Sequence, residues 1–124
     1  MDEGFCYFDF PQGLAPGTEP VEYVWFAKND WCELTLQKAY AFDPVEGIAP
    51  EFRKHVVGGE CLNWSEATAT TAELEWKMWP RTCATAQVFW CGEKRPPFWE
   101  FFRQMKAHRA KLVYRFGVNS APLK

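Results

Sequence analysis

The sequence predicts an α/β fold built on parallel strands, and three observations carry the prediction. Two short aromatic and apolar runs, residues 5–10 and 55–64, read as buried strands; helical segments lie between and after them; and the last of these segments is strongly amphipathic. Strands that alternate with helices suggest βα units, in which consecutive strands run parallel. Two parallel strands alone make no sheet with both faces covered. Either further strands lie in stretches read as loop, or the chain is part of something larger.

The first run, Phe-Cys-Tyr-Phe-Asp-Phe at 5–10, is closed by Pro11 and reads as a strand with polar groups near its end. Pro, Gly and Thr then follow in quick succession up to Pro20, which marks loop. Leu34, Leu36, Ala39 and Tyr40 are spaced for a short helix within 34–42. Asp43-Pro44 stops it, because the residue before a proline is pushed out of the α region. Pro50 opens a single helical turn that reaches His55. His55-Val56-Val57, Gly58-Gly59 and Glu60-Cys61-Leu62-Asn63-Trp64 make the second strand, and the glycine pair allows another group to approach closely. Thr70 and Glu73 have the spacing of a capping box and start a helix; Pro80 breaks it, and a second piece runs over 81–91. Pro97 suits a first helical position. From Phe98 the apolar residues Phe101, Phe102, Met105, Leu112 and Val113 follow one face of a helix of about four or five turns, which Gly117 is placed to end.

With 124 residues the chain has room for one domain. Its 48% hydrophobic and 24% charged content excludes wholesale disorder. A net charge of −2 argues against binding to nucleic-acid backbones, which calls for an excess of Lys and Arg. No apolar run approaches the roughly 20 residues of a membrane span, and Met1-Asp2-Glu3-Gly4 lacks the basic and apolar regions of a secretory signal. Cys6, Cys32, Cys61, Cys83 and Cys91 form no Cys-x-x-Cys pair, so the expectation is buried apolar thiols with no metal site and no cofactor. His55 and His108 stand alone and read as structural. Arg103, Lys106, Arg109, Lys111 and Arg115 read as the solvated face of the last helix. The unusual feature is an aromatic content of 18%, with 7 Trp and 11 Phe, which suits a dense core, a sugar-binding surface, or both.

Polar residues cluster at the ends of both strand candidates, Tyr7 and Asp9 on the first and Trp64 and Glu66 on the second. In parallel α/β folds the site lies at the carboxyl ends of the strands. An aromatic face beside two carboxylates suits a pyranose ring, whose C–H face stacks on indole while its hydroxyls donate to carboxylate oxygens. The plainer reading makes Tyr7 and Trp64 core aromatics and Asp9 and Glu66 loop-entry or capping residues.

Gly58-Gly59-Glu60-Cys61-Leu62-Asn63-Trp64-Ser65-Glu66, Trp79-Pro80-Arg81 and 84–90 together resemble the C-terminal part of glycoside hydrolase family 20, the β-N-acetylhexosaminidases. Tyr7-Phe8-Asp9-Phe10 is similar to that family's Tyr-x-Asp motif. Ala39-Tyr40-Ala41-Phe42-Asp43-Pro44, His108-Arg109-Ala110-Lys111-Leu112 and Gly117-Val118-Asn119 resemble further family segments in the same order. The resemblance implies the C-terminal portion of a (β/α)8 TIM barrel, about its last two βα units and incomplete on its own. Strand, loop and helix over 5–42 would be followed by strand, loop and helices over 55–116 and a tail over 117–124.

It further implies hydrolysis of terminal N-acetylhexosamine by a retaining mechanism in which the sugar's own acetamido oxygen attacks the anomeric carbon. The partner would be an N-acetylhexosamine-containing glycan, together with the missing N-terminal part of the barrel. By position, Tyr7 matches the tyrosine that orients the acetamido oxygen, Trp64 a wall of the sugar pocket, and Asp9 and Glu66 carboxylates that bind sugar hydroxyls. Trp31 matches a further pocket tryptophan, with Trp25 a competitor.

Three departures stand out. The family's His-x-Gly-Gly-Asp-Glu motif, which holds its acid and orienting residues, does not occur in this sequence. Asn63 stands where Leu or Met usually precedes the tryptophan, and Gln87 replaces a common Glu. The 124 residues alone are therefore expected to be inactive. The alternative to a piece of a hydrolase is a non-catalytic carbohydrate-binding or interaction module that kept the sugar-facing aromatics.

Overall fold

The computed structural model describes residues 3–13 and 33–124. Their helices are α1 (Glu3–Cys6), α2 (Leu36–Ala41), α3 (Thr71–Met78), α4 (Arg81–Cys91) and α5 (Phe98–Phe116), with short 3-10 turns at Pro50–His55, Ser65–Ala67 and Gly92–Lys94.

The strands are where sequence and structure differ. Among the described residues there is no strand; the two expected ones reduce to a single parallel bridge between Tyr7 and Leu62. Its two bonds run from Leu62 N–H to the Cys6 carbonyl at 2.8 Å and from Phe8 N–H to the Leu62 carbonyl at 2.7 Å. The direction expected for the pair is thus present, without the length. On the first segment, α1 takes up Phe5 and Cys6, and the chain turns directly after the bridge, with Phe10 N–H donating to the Tyr7 carbonyl at 3.2 Å. On the second, Gly58 and Gly59 bring no side chains to pack a ladder. A parallel strand needs neighbours and covered faces, and one bridge supplies neither.

The helices form where their local signals lie. Thr70 and Glu73 make the capping box: the Thr70 side chain accepts from Glu73 N–H at 3.2 Å, and the Glu73 carboxylate accepts from the N–H groups of Ala69 and Thr70 at 2.7 and 2.9 Å. Those donors favour the charged carboxylate and lower its pKa. Pro80 separates α3 from α4 as expected, after a cis Trp79-Pro80 peptide. Pro97 sits one residue earlier than expected, as the N-cap of α5. Gly117 ends α5 at φ 69°, in the left-handed region that glycine enters without a Cβ clash.

The core lies between α2, α4, α5 and the segment 8–10, with Phe8, Leu34, Ala39, Ala84 and Val88 fully buried. Tyr40 joins α2 to α5. Its ring stacks on Phe101 at 4.4 Å and its hydroxyl donates to the Pro96 carbonyl at 2.6 Å. Gly59 is the close approach anticipated for the glycine pair, since a Cβ there would meet the Phe89 ring at 2.4 Å. Four of the five basic residues of α5 are exposed, whereas Arg109 binds the tail, donating to the carbonyls of Ser120 at 2.7 Å and Ala121 at 2.5 Å.

The thiols correct one expectation. Cys6 is buried, but Cys61, Cys83 and Cys91 are only half-buried; all four are free, and Cys32 lies outside the described residues. Burial raises the pKa of Cys61, and that of Cys83 to about 11, so both stay protonated at neutral pH. Among the described residues no cluster of His, Cys, Asp and Glu could hold a metal, and no helix is long and apolar enough to cross a membrane.

Candidate functional site

The Tyr7–Leu62 bridge brings three of the sequence-selected residues together. The residue after Leu62 leads directly to Trp64, whose ring meets that of Tyr7 edge-on at 6.3 Å and 66°. Tyr7 is half-buried and also packs on Phe10 at 5.9 Å, while Trp64 is 51% exposed. An indole half in water, anchored at its edge by a second aromatic ring, presents a flat apolar face to a ligand. Glu66 is exposed and lies on the 3-10 turn Ser65–Ala67 that follows Trp64. Trp31 and Trp25 lie outside the described residues.

Asp9 behaves differently from a surface carboxylate. It is 96% buried by its 4% exposure, and loss of water raises its pKa. The N–H groups of Asp9 and Trp64 and the charges of Lys77 and Arg81 pull in the opposite direction without overcoming burial. Asp9 Oδ1 and Asn63 Oδ1 are buried acceptors with no hydrogen-bond donor among the described residues. Buried oxygens of this kind are costly unless a donor reaches them, and sugar hydroxyls are donors.

Sequence reasoning missed the cations that hold this arrangement. Arg81 is fully buried, with its guanidinium 4.9 Å from the Phe8 ring. It donates to the carbonyls of Phe10 at 2.7 Å, Leu34 at 3.1 Å and Lys77 at 3.0 Å, and also to that of Phe8. The carbonyls on either side of Asp9 are thus gripped by one rigid fork. Gln12 adds a second link, donating from Nε2 to the Trp76 carbonyl at 2.7 Å. Lys77, also fully buried, donates to Thr68 Oγ1 at 3.0 Å. The available signal was a Lys and an Arg four residues apart in the aromatic stretch Trp76-Lys77-Met78-Trp79-Pro80-Arg81, since a cation in such surroundings needs buried partners.

A separate cavity of about 550 Å³ is lined by Cys6, Phe42, Val57, Gly58, Gly59 and Phe89 among others, and by none of the four candidate residues described.

Comparison with known proteins agrees with the motifs. The chain is 32% identical over 109 residues to a beta-hexosaminidase of Arthroderma benhamiae, covering 86% of this chain and 17% of that protein. It is 32% identical over 119 residues to a chitooligosaccharidolytic beta-N-acetylglucosaminidase of Ostrinia furnacalis, covering 94% and 18%. The fold matches a GH20 exo beta-N-acetylglucosaminidase from Vibrio harveyi, solved with N-acetylglucosamine, at a TM-score of 0.74 and 23% identity. That match covers 96% of this chain and 18% of the other. The chain therefore spans about a fifth of the length of these relatives. The model of the glycosyl hydrolase family 20 catalytic domain matches residues 1–93, which takes in both the Tyr7–Asp9 segment and the Trp64–Glu66 turn, and the chain belongs to that family.

Proposed function

We propose that this chain supplies part of the sugar pocket of a β-N-acetylhexosaminidase, a glycoside hydrolase acting on terminal N-acetylhexosamine. In this reading it corresponds to about the last two βα units of a (β/α)8 barrel, and preceding polypeptide completes the barrel. The observation that carries the reading is the meeting of Tyr7, Asp9 and Trp64 at one parallel bridge, with buried acceptor oxygens beside a half-exposed indole.

Each residue has a physical task. The Trp64 face stacks on the C–H face of the pyranose and forms a wall of the pocket. The Tyr7 hydroxyl donates to the acetamido oxygen and holds it below the anomeric carbon. As that oxygen attacks and the glycosidic bond breaks, the hydroxyl's dipole is already in place, so little reorganisation is required. Asp9 and Glu66 accept from ring hydroxyls remote from the breaking bond, and such remote contacts help hold the ring in a reactive shape. The leaving oxygen needs a general acid, and the acetamido nitrogen a carboxylate that orients it. The Asp-Glu motif that does this in the family is not in the 124 residues. A module that binds sugar without cleaving it is the second reading, favoured by that missing motif.

Turnover of an aryl N-acetylglucosaminide tests the proposal in two arms. The 124-residue chain alone should show no hydrolysis above that of its Glu66→Gln variant. The same chain joined to an upstream family 20 segment carrying His-x-Gly-Gly-Asp-Glu should hydrolyse it, and Glu66→Gln should then lower kcat/KM. Failure of the joined chain, with sugar binding retained, would favour the binding module.

A further inference from the structure

The two segments that carry the site residues meet at one bridge, Tyr7 with Leu62. One bridge fixes a point of contact but not the angle of the chain beyond it, so side chains must hold the turn that follows. Thr68 is the residue placed to do this. Its Oγ1 accepts from Lys77 Nζ at 3.0 Å and from Asn63 Nδ2 at 2.8 Å, and donates to the Trp64 carbonyl at 3.3 Å. A hydroxyl has one hydrogen and two acceptor sites, so the whole capacity of this one is used across the turn. Asn63 adds a bond of its own to the Trp64 carbonyl at 3.2 Å.

The anchor of this hub is shared with the other segment. Lys77 is fully buried, and an ammonium out of water is held where its partners are. Four residues on, Arg81 binds the carbonyls of Phe8 and Phe10 and also that of Lys77. The joint between α3 and α4 therefore holds one site segment through Arg81, the first residue of α4, and the other through Lys77 of α3 and Thr68.

We propose that Thr68 is a positioning residue: its hydroxyl, held by Lys77 and Asn63, keeps the Trp64–Glu66 turn in register with the segment that carries Tyr7 and Asp9. The purpose of that register rests on the sugar-pocket reading; the register itself does not. Thr68 touches none of the reacting atoms in this scheme. It acts through Trp64 and Glu66.

Hydrogen–deuterium exchange of the full 124-residue chain, read by mass spectrometry, tests this with and without N-acetylglucosamine. The amides of Leu62, bonded to the Cys6 carbonyl, and Thr68, bonded to the Ser65 carbonyl, report on the turn. Thr68→Val, which keeps the shape and removes the hydroxyl, should speed exchange over 62–68 by about tenfold, which corresponds to about 1.4 kcal/mol of lost local stability. Lys77→Met should speed exchange in the same peptide. Thr68→Ser should restore parental exchange, and peptides over 81–91 and 98–116 should not change in either Thr68 variant. The proposal is overturned if Thr68→Val leaves 62–68 unaffected, if Thr68→Ser fails to restore it, or if α4 and α5 loosen equally. Should the sugar protect no peptide while the Thr68 series behaves as stated, the sugar reading falls and the positioning role stands.

Discussion

Asp9 is a carboxylate whose burial works against stability at neutral pH. Its pKa in the folded chain is raised above the ordinary value of 3.8, chiefly by burial. The folded chain thus binds that proton more tightly than the unfolded chain does. The stabilising contribution is full below the ordinary value and is lost as pH rises through the raised one. Asp9→Asn should therefore raise the melting temperature at pH 7, with the advantage vanishing in acid, as differential scanning calorimetry across pH would show. The same substitution should weaken N-acetylglucosamine binding. Trp64 is half in water, so Trp64→Ala should leave the fold intact while reducing sugar affinity by about tenfold, read by calorimetric titration. In a completed enzyme, Tyr7→Phe should lower kcat by about 10²-fold, the scale of losing one preorganised donor, as steady-state kinetics would measure. Tyr7, Asp9, Trp64 and Glu66 stood out in the sequence as aromatic and acidic residues at segment ends, and the meeting of the Tyr7 and Trp64 segments was legible there as an expected parallel pairing; the sugar-binding roles proposed for them rest on the family motifs. The hydrogen bond between Thr68 and Lys77 was not legible, because a contact between a turn and a helix is announced by no local spacing.

At the level of elements, the joint between α3 and α4 organises the molecule. Removing the Arg81 guanidinium would leave the carbonyls of Phe8, Phe10, Leu34 and Lys77 without it, in surroundings where water does not replace it. Arg81→Met should destabilise the chain by about 3 kcal/mol or more in urea unfolding. Arg81→Lys should not rescue it, since one ammonium cannot reproduce a planar fork. Thr70→Ala, by contrast, removes only a helix cap and should cost about 1 kcal/mol. The helices were legible because capping boxes, prolines and helical periodicity are local: Thr70, Pro80 and Gly117 mark their boundaries to within a residue or so. The strands were read as longer than they are. Extended structure depends on neighbours distant in sequence, and the described residues supply Tyr7 and Leu62 with only each other.

Across the whole molecule, the surface matches a body that expects company. Val57 is 98% exposed and Trp90 91% exposed, with Tyr114 and Phe116 also in water. Large apolar groups left in solvent favour association, so light scattering on the isolated chain should show oligomers or aggregates, and a monodisperse monomer would count against its being part of a larger barrel. The relatives are about five times as long, which is consistent with this surface being covered in them. The central claim, that Tyr7, Asp9, Trp64 and Glu66 form part of an N-acetylhexosamine pocket, is most directly tested by saturation-transfer NMR with N-acetylglucosamine and glucose. Strong transfer to the acetamido methyl of N-acetylglucosamine, weak transfer to glucose, and loss of the acetamido signal in Tyr7→Phe and Trp64→Ala are expected. Equal transfer to the two sugars, or a signal unchanged in both variants, would contradict it.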